Sequence, residues 1–479
     1  MQKSYSFGIL LVIAILLSLV GVKIAQAGHL RDTVSSTIAY NEVVKDPWAS
    51  KFLADAEDGV RNISTAFVGN YQIPMISYSR NGQDYIYQAH ASTSAVAGNC
   101  GPNNTWYCNN WYDPDLIPGT VSQMATIQYI QTHAIRWAFS TGSMIRGATI
   151  ELMNDMTFVT DNWLDLIQIN KFGSSIIGVP SLQIDSGGHY MIAVTILGSG
   201  DLYPHSLVYM YYVGGSNTSC KNTGSPYQCD VIDQSYGNGS MGASSLQIAQ
   251  DGSVGIAYYK SGEVMYAYPH VTFPGWPSNC GPSGDTWRCI SIFAGTVTGA
   301  VGSVVDFAWG ETTYDRGIAF TYDDTLIPVT LYHADYVGNG GNCGSDLRLG
   351  GELDYRWQCD DIINFDYLNP ALLPSFSIEI DPLGFSAIAF DYANSDLSNK
   401  DLYITYPKAR VGNADPGWIV QHIDGAPVFD VDTGAQVSLS LDDTGRGFIS
   451  YLQLEDYELP DIKFAYQVDQ TFLPLLTKP

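Results

Sequence analysis

The stretch Ser245–Tyr258, SLQIAQDGSVGIAY, reads as strand, turn, strand. Leu246 and Ile248 alternate with polar residues, Asp251-Gly252 supplies the reversal, and Ile256-Ala257-Tyr258 forms a second, mostly apolar run. Variants of it recur along the chain. Taking the apolar–small–apolar triplet as anchor gives Ile76-Ser77-Tyr78, Trp137-Ala138-Phe139, Ile192-Ala193-Val194, Ile256-Ala257-Tyr258, Ile318-Ala319-Phe320, Ile388-Ala389-Phe390 and Ile449-Ser450-Tyr451. These seven copies are spaced 61, 55, 64, 62, 70 and 61 residues apart. Such a period predicts a repeat architecture in which each unit buries its apolar faces against its neighbours.

Working outward, each anchor is followed by a third apolar–aromatic run, as in Val208-Tyr209-Met210-Tyr211 and Leu402-Tyr403-Ile404-Thr405-Tyr406. A fourth run is introduced by an aromatic residue: Trp106, Trp163, Tyr227, Trp287, Trp357 or Trp418. Four strands per unit predict an all-β fold, a seven-bladed β-propeller. The expected blades are 60–118, 119–175, 176–236, 237–298, 299–368, 369–426 and 427–470. The last copy lacks a fourth run, while residues 36–46 supply a spare strand before the first anchor. That segment is expected to complete the last blade and close the ring, removing exposed sheet edges.

Before the repeats, residues 1–27 read as a signal peptide: Lys3, an apolar run from Gly8 to Val22, and Ala25-Gln26-Ala27 as a small-residue cleavage site, the alternative being a retained membrane anchor. The domain proper is then 28–479, and the protein is expected to be secreted, extracellular or at the cell surface. No membrane contact is expected after cleavage. The formal charge is −26, and losing Lys3 and Lys23 makes it more negative by two. A surface so acidic repels phosphate backbones, which speaks against nucleic-acid binding.

Eight cysteines lie in four short segments between third and fourth runs, including NCGPNNTWYC from Asn99 and NCGPSGDTWRC from Asn279. In the sixth repeat Ala414 and Val420 stand where a pair would be, so both partners are missing together. Internal repetition therefore predicts four intra-blade disulfides: Cys100–Cys108, Cys220–Cys229, Cys280–Cys289 and Cys343–Cys359.

Asp185, Asp251, Asp381 and Asp442 recur after the first strand and are expected to be turn residues bonding nearby amides. No H-E-x-x-H, G-x-S-x-G or phosphate-loop motif is present. Function is therefore sought in what does not repeat. Acids cluster in the second-to-third and fourth-to-first connections, which share one rim. Asp323, Asp324, Asp391, Asp430 and Asp432 are the candidate ligands there, with no cofactor required and Ca²⁺ as the candidate ion. Trp111 in NNWYDPDLIPG and Trp276 in FPGWPSN stand outside the repeated aromatic column, in Pro/Gly-rich surroundings that suit a stacking surface for a glycan or protein.

The S-L-x-I-x-x-x-G-x-x-x-I-A-Y pattern, followed by L-x-Y-A, resembles the repeats of secreted bacterial seven-bladed β-propellers, distantly similar to the sialidase-like and propeller-lectin superfamily. The resemblance covers residues 36–467 and implies the fold. Sialidase activity is not implied. The Asp-Gly turns here fall between first and second strands rather than third and fourth, and the arginines occupy no recurring rim position. The reading favoured by the sequence is a non-catalytic binding module whose rim loops take a glycan or protein. The alternatives are a glycoside-active hydrolase using rim carboxylates and a structural surface or filament component.

Overall fold

The computed structural model describes residues 48–467, apart from 55–59, 69–72, 81–84, 94–95, 113–122, 131–133, 153–157, 199–203, 237–240, 270–277, 282–285, 295–304, 313, 323–328, 348–352, 365–374, 394–398, 412–415, 428–435 and 454–460. Seven antiparallel sheets follow one another along the chain. Blade 1 runs Val60–Val68, Ile73–Arg80, Tyr85–Ala91, Trp106–Tyr112, and blade 2 runs Gln123–Ile130, Ala134–Ser140, Met144–Leu152, Phe158–Gln168. Blade 3 is Ser175–Ile184, Tyr190–Leu197, His205–Asn217, Ser225–Ser235, and blade 4 is Met241–Ile248, Val254–Lys260, Glu263–Pro269, Trp287–Ala294. Blade 5 is Val305–Trp309, Arg316–Tyr322, Thr330–Tyr336, Leu353–Asn364, and blade 6 is Phe376–Ile380, Ser386–Ala393, Asn399–Pro407, Trp418–Pro427. First strands touch first strands in a closed circuit that returns from blade 7 to blade 1, which makes the fold a seven-bladed propeller. This compact unit spans Asp46–Pro407 and Gly417–Pro479; residues outside it include a 3-10 turn at Lys408–Val411.

Blade 7 is Val437–Leu441, Gly447–Gln453 and Asp461–Gln467, completed on its outside by Trp48–Ala54. An N-terminal strand therefore closes the ring, but not the segment expected from the repeat. Trp48 pairs with Gln467 and Phe52 with Lys463, while Leu53 is buried with Ile462, Phe464 and Trp106. Residues 36–46 lie outside the described residues. Blade 5 departs from the four-stranded plan, because Cys343–Leu347 adds a fifth strand against Leu353–Asn364.

The anchor triplet is the reason the blades stack. Ile76, Trp137, Ile192, Ile256, Ile318, Ile388 and Ile449 are all 0 % exposed. Each sits in a second strand with sheet neighbours on both sides and a neighbouring blade against its face, so apolar–small–apolar packing suits it. The turn acids behave as expected. Oδ1 of Asp185, Asp251, Asp381 and Asp442 accepts the backbone N–H two residues on, from Gly187, Ser253, Leu383 and Thr444, at 2.8–3.0 Å.

All four expected disulfides form, and none of the eight cysteines is free. Three share a further device. Asn99, Asn279 and Asn342 each accept the N–H of the second cysteine through Oδ1 and donate through Nδ2 to its carbonyl, standing in for a strand partner. The glycine just beyond the first cysteine lies under the aromatic column. Gly281 has φ +92°, and a Cβ there would come within 2.8 Å of the Trp287 ring, so only glycine fits.

Candidate functional site

Two kinds of concavity arise from this ring: an axial channel, and clefts between neighbouring blades. The channel is walled by first strands. The residue paired with the middle of each anchor triplet is Ser64, Thr126, Ser181, Ser245, Asp306, Ser377 or Ser438. Four of these side chains staple their blade to the next. Leu246 N–H donates to Ser181 Oγ (2.8 Å), Phe307 N–H to Ser245 Oγ (3.1 Å), Ile378 N–H to Asp306 Oδ2 (3.0 Å) and Thr65 N–H to Ser438 Oγ (2.9 Å). Between blades 6 and 7 Val437 N–H uses Ser375 Oγ instead (3.0 Å).

Asp306 is the acid in a column of hydroxyls. Its Oδ1 also accepts from Ser245 Oγ (2.8 Å) and from Phe307 N–H (3.0 Å), so the carboxylate ties blades 4, 5 and 6 together. Two residues past Ser377 stands Glu379, in a register shared with Gln128, Gln183 and Gln247. Both acids line the same cavity of about 400 Å³. They reach the lumen yet are crowded by protein. Burial, joined by the charge of Asp306, pushes Glu379 up to about 8, so it is largely protonated at neutral pH. Burial also raises Asp306, against the pull of the hydrogen bonds from Ile378 and Ser245.

The inter-blade clefts open on the rim that carries first-to-second turns and disulfide loops. At the ring's seam, between blades 7 and 1, a cleft of about 200 Å³ has an aromatic floor. Trp106 and Phe464 are 4.7 Å apart between ring centroids, and Phe448 stacks on Phe464 at 5.6 Å. The edge is ionic. Arg446 grips Asp442 Oδ2 through Nε (2.7 Å) and Nη2 (2.6 Å), and Lys51, Tyr466 and Gln467 complete the lining. Burial alone would raise Asp442, but hydrogen bonds from Thr444 and Arg446 outweigh it and hold the carboxyl below its ordinary range.

The residues singled out from the sequence fall elsewhere. Trp111 is not in a loop. It lies on the outer strand of blade 1, half-buried, its Nε1 donating to Gln88 Oε1 (2.8 Å) and its ring against Trp137. The ladder to Tyr85–Ala91 places it there, and its face is spent on packing. Asp391 is 4 % exposed and clamps the entry to blade 6. Its carboxylate accepts Ser375 N–H, and its own N–H donates to Ser375 O (3.0 Å). So committed, it is not an open rim ligand. Trp276, Asp323, Asp324, Asp430 and Asp432 lie outside the described residues. Among the described residues no group of three or more His, Cys, Asp or Glu is placed to hold a metal ion. Asp306 and Glu379 were not singled out, although the sequence signals them: Asp306 stands in a column that is Ser or Thr in every other blade, and Glu379 is the one acid in a column of Gln, Ala and Ser.

No protein-family model matches the chain, and no curated protein matches it. Solved structures do. AofleA from Arthrobotrys oligospora is 9% identical over 87% of this chain and 86% of its own, with a TM-score of 0.40. The polysaccharide lyase Uly1 is 12% identical over 90% and 94%, at a TM-score of 0.42. A fucose-specific lectin from Aleuria aurantia is 12% identical over 78% and 97%, at a TM-score of 0.35. At such identities the likeness extends to the fold alone.

Proposed function

We propose that this chain is an exported, carbohydrate-binding propeller that holds glycans in inter-blade clefts of the disulfide rim. The observation that carries the reading is the seam cleft. A sugar ring presents an apolar C–H face and a fringe of hydroxyls. The Trp106–Phe464–Phe448 floor suits the first and the Asp442–Arg446 pair, with oxygens and N–H groups side by side, suits the second. Four disulfides fit an oxidising compartment, and residues 1–27 would direct export as a cleaved signal peptide. Among the described residues no helix is long and apolar enough to cross a membrane.

Screening the purified protein on a glycan array, followed by ligand-observed NMR, tests the reading. Arg446→Ala should weaken the bound glycan about tenfold with the fold intact, since it removes charge-assisted hydrogen bonds from a half-exposed side chain. A wild-type protein that retains no glycan, or an Arg446→Ala variant that binds unchanged, defeats it.

One observation favours a second reading, a glycoside-cleaving enzyme. Asp306 and Glu379 are two carboxyls in one cavity, and Glu379 is held protonated, as a general acid requires. The committed hydrogen bonds of Asp306 speak for a scaffold role instead. Turnover of aryl glycosides that vanishes in Glu379→Gln would favour the enzyme.

A further inference from the structure

The clefts repeat around the ring, but their chemistry does not. The residue just before each anchor triplet is Met75, Arg136, Met191, Gly255, Gly317, Ala387 or Phe448, and Arg136 alone among them is charged. Phe448 floors the seam cleft; Arg136 takes the same place between blades 2 and 3. Its guanidinium lies over the Tyr190 ring of blade 3, 5.2 Å from the centroid. Gly188 passes close by: a Cβ there would stand 3.5 Å from Nη2 and 3.8 Å from Nη1. The cavity, about 190 Å³, is also lined by Thr149, Glu151, Asn162 and Tyr227, and the Tyr190 hydroxyl is hydrogen-bonded to Thr149 Oγ1 (2.8 Å).

Among the described residues the arginine has no carboxylate partner for its charge, and its Nε is buried without a hydrogen bond. In a chain of formal charge −26, acids to neutralise an arginine are abundant. Leaving a partly desolvated guanidinium unpaired is costly, and the cost is recovered when an anion arrives. The terminal nitrogens offer a planar fork that matches a carboxylate, and the Tyr190 ring beneath holds the plane.

We propose that the cleft between blades 2 and 3 is a subsite for the carboxylate of a uronic acid residue. The Arg136 fork takes the carboxylate, while Thr149, Asn162 and Tyr227 face the sugar hydroxyls. Glu151, exposed at the mouth, accepts hydroxyls and limits affinity by repelling the anion. The volume lies below the ~300–1,000 Å³ of drug-sized pockets, which fits one sugar residue rather than a chain segment.

The proposal rests on the carbohydrate-binding reading but uses a cleft separate from the seam. NMR titrations of the full-length protein with glucuronate, glucose and acetate at low ionic strength test it. Glucuronate should bind at least about tenfold more tightly than either of the others. Arg136→Gln should lose about tenfold for glucuronate and nothing for glucose, and Glu151→Gln should gain about threefold for glucuronate. Equal binding of glucuronate and glucose, acetate matching glucuronate, or full glucuronate affinity in Arg136→Gln would overturn it. If Arg136→Gln does not fold, Glu151→Gln decides, and unchanged affinity there overturns it. Neutral glycans bound through Arg446 without a uronate preference would sink this subsite and leave the seam reading standing. Uronate bound through Arg136 with no glycan lost in Arg446→Ala would do the reverse.

Discussion

Replacing Glu379 by Gln should make the protein more stable in alkali and leave it nearly unchanged in acid. Burial and the neighbouring Asp306 raise the Glu379 carboxyl from its ordinary 4.5 to about 8. An acid whose pKa is higher in the fold than in the unfolded chain binds its proton more tightly when folded. Its contribution is therefore fully present below pH 4.5 and is lost as pH climbs through about 8. At about 1.4 kcal/mol per unit the loss has a ceiling of about 5 kcal/mol. Water in the lumen and coupling to Asp306 bring the expected value nearer half of that. With an unfolding entropy of about 2.1 cal/mol/K per residue over roughly 400 residues, this is a difference of about 3 to 6 °C in Tm. Glutamine already occupies the equivalent places at 128, 183 and 247, so the substitution brings no foreign shape. Calorimetric scans of both proteins from pH 5 to 8.5 should give curves that coincide at the acid end and separate at the alkaline end, the variant melting higher. A separation that is constant with pH, or of opposite sign, would refute the reasoning.

Three further outcomes follow from the same geometry. Asp306→Ala at pH 7 should cost about 2–4 kcal/mol by orphaning Ile378 N–H and leaving the Ser245 hydroxyl without its acceptor, and Asp306→Ser, which restores the column residue, should recover much of it. Denaturant midpoints measure both, and equal losses would contradict the staple. His333, buried with Nε2 on Ser386 Oγ (2.9 Å), is lowered by desolvation to about 3, so its stabilising effect is complete above pH 6.5 and lost as pH falls toward 3. Urea titrations at pH 7 and 4.5 should show wild type losing about 2 kcal/mol more than His333→Gln, and parallel losses would exclude this role. The double variant Cys343→Ser, Cys359→Ser opens the longest disulfide loop, with a separation of 16, and should lose about 3 kcal/mol, a result readable as a drop in Tm; an unchanged melt would count against it.

The anchor triplets made the blades readable because each needs the same burial in the same place seven times over. The disulfides were readable because Ala414 and Val420 lose both partners at once. The closing strand was harder. A repeat locates it near the N-terminus, but whether 36–46 or Trp48–Ala54 pairs with Asp461–Gln467 is settled by the burial of Leu53 and its register with the last strand. Trp111 misled because NNWYDPD looks like a loop, whereas its backbone is needed by the ladder of blade 1. The clefts were not legible at all from local pattern. Arg136 meets Tyr190 and Trp106 meets Phe464 only after the ring brings separate blades together. What the sequence did hold was the set of departures from its own columns, with Asp306, Glu379 and Arg136 among them.

The pairing of Trp48–Ala54 with Asp461–Gln467 also has a consequence in time. A ribosome makes the first of these strands long before the second, so blade 7 cannot form until the six blades between them have been synthesised. The staples of Thr65 to Ser438 and of Ile63 to Gln436 wait for the same moment. Contacts this distant in sequence form slowly. Until then the nascent chain is an open arc with bare strand edges, vulnerable to mispairing. Ring closure then waits for the last blade, where Trp48–Ala54 is pinned against Asp461–Gln467.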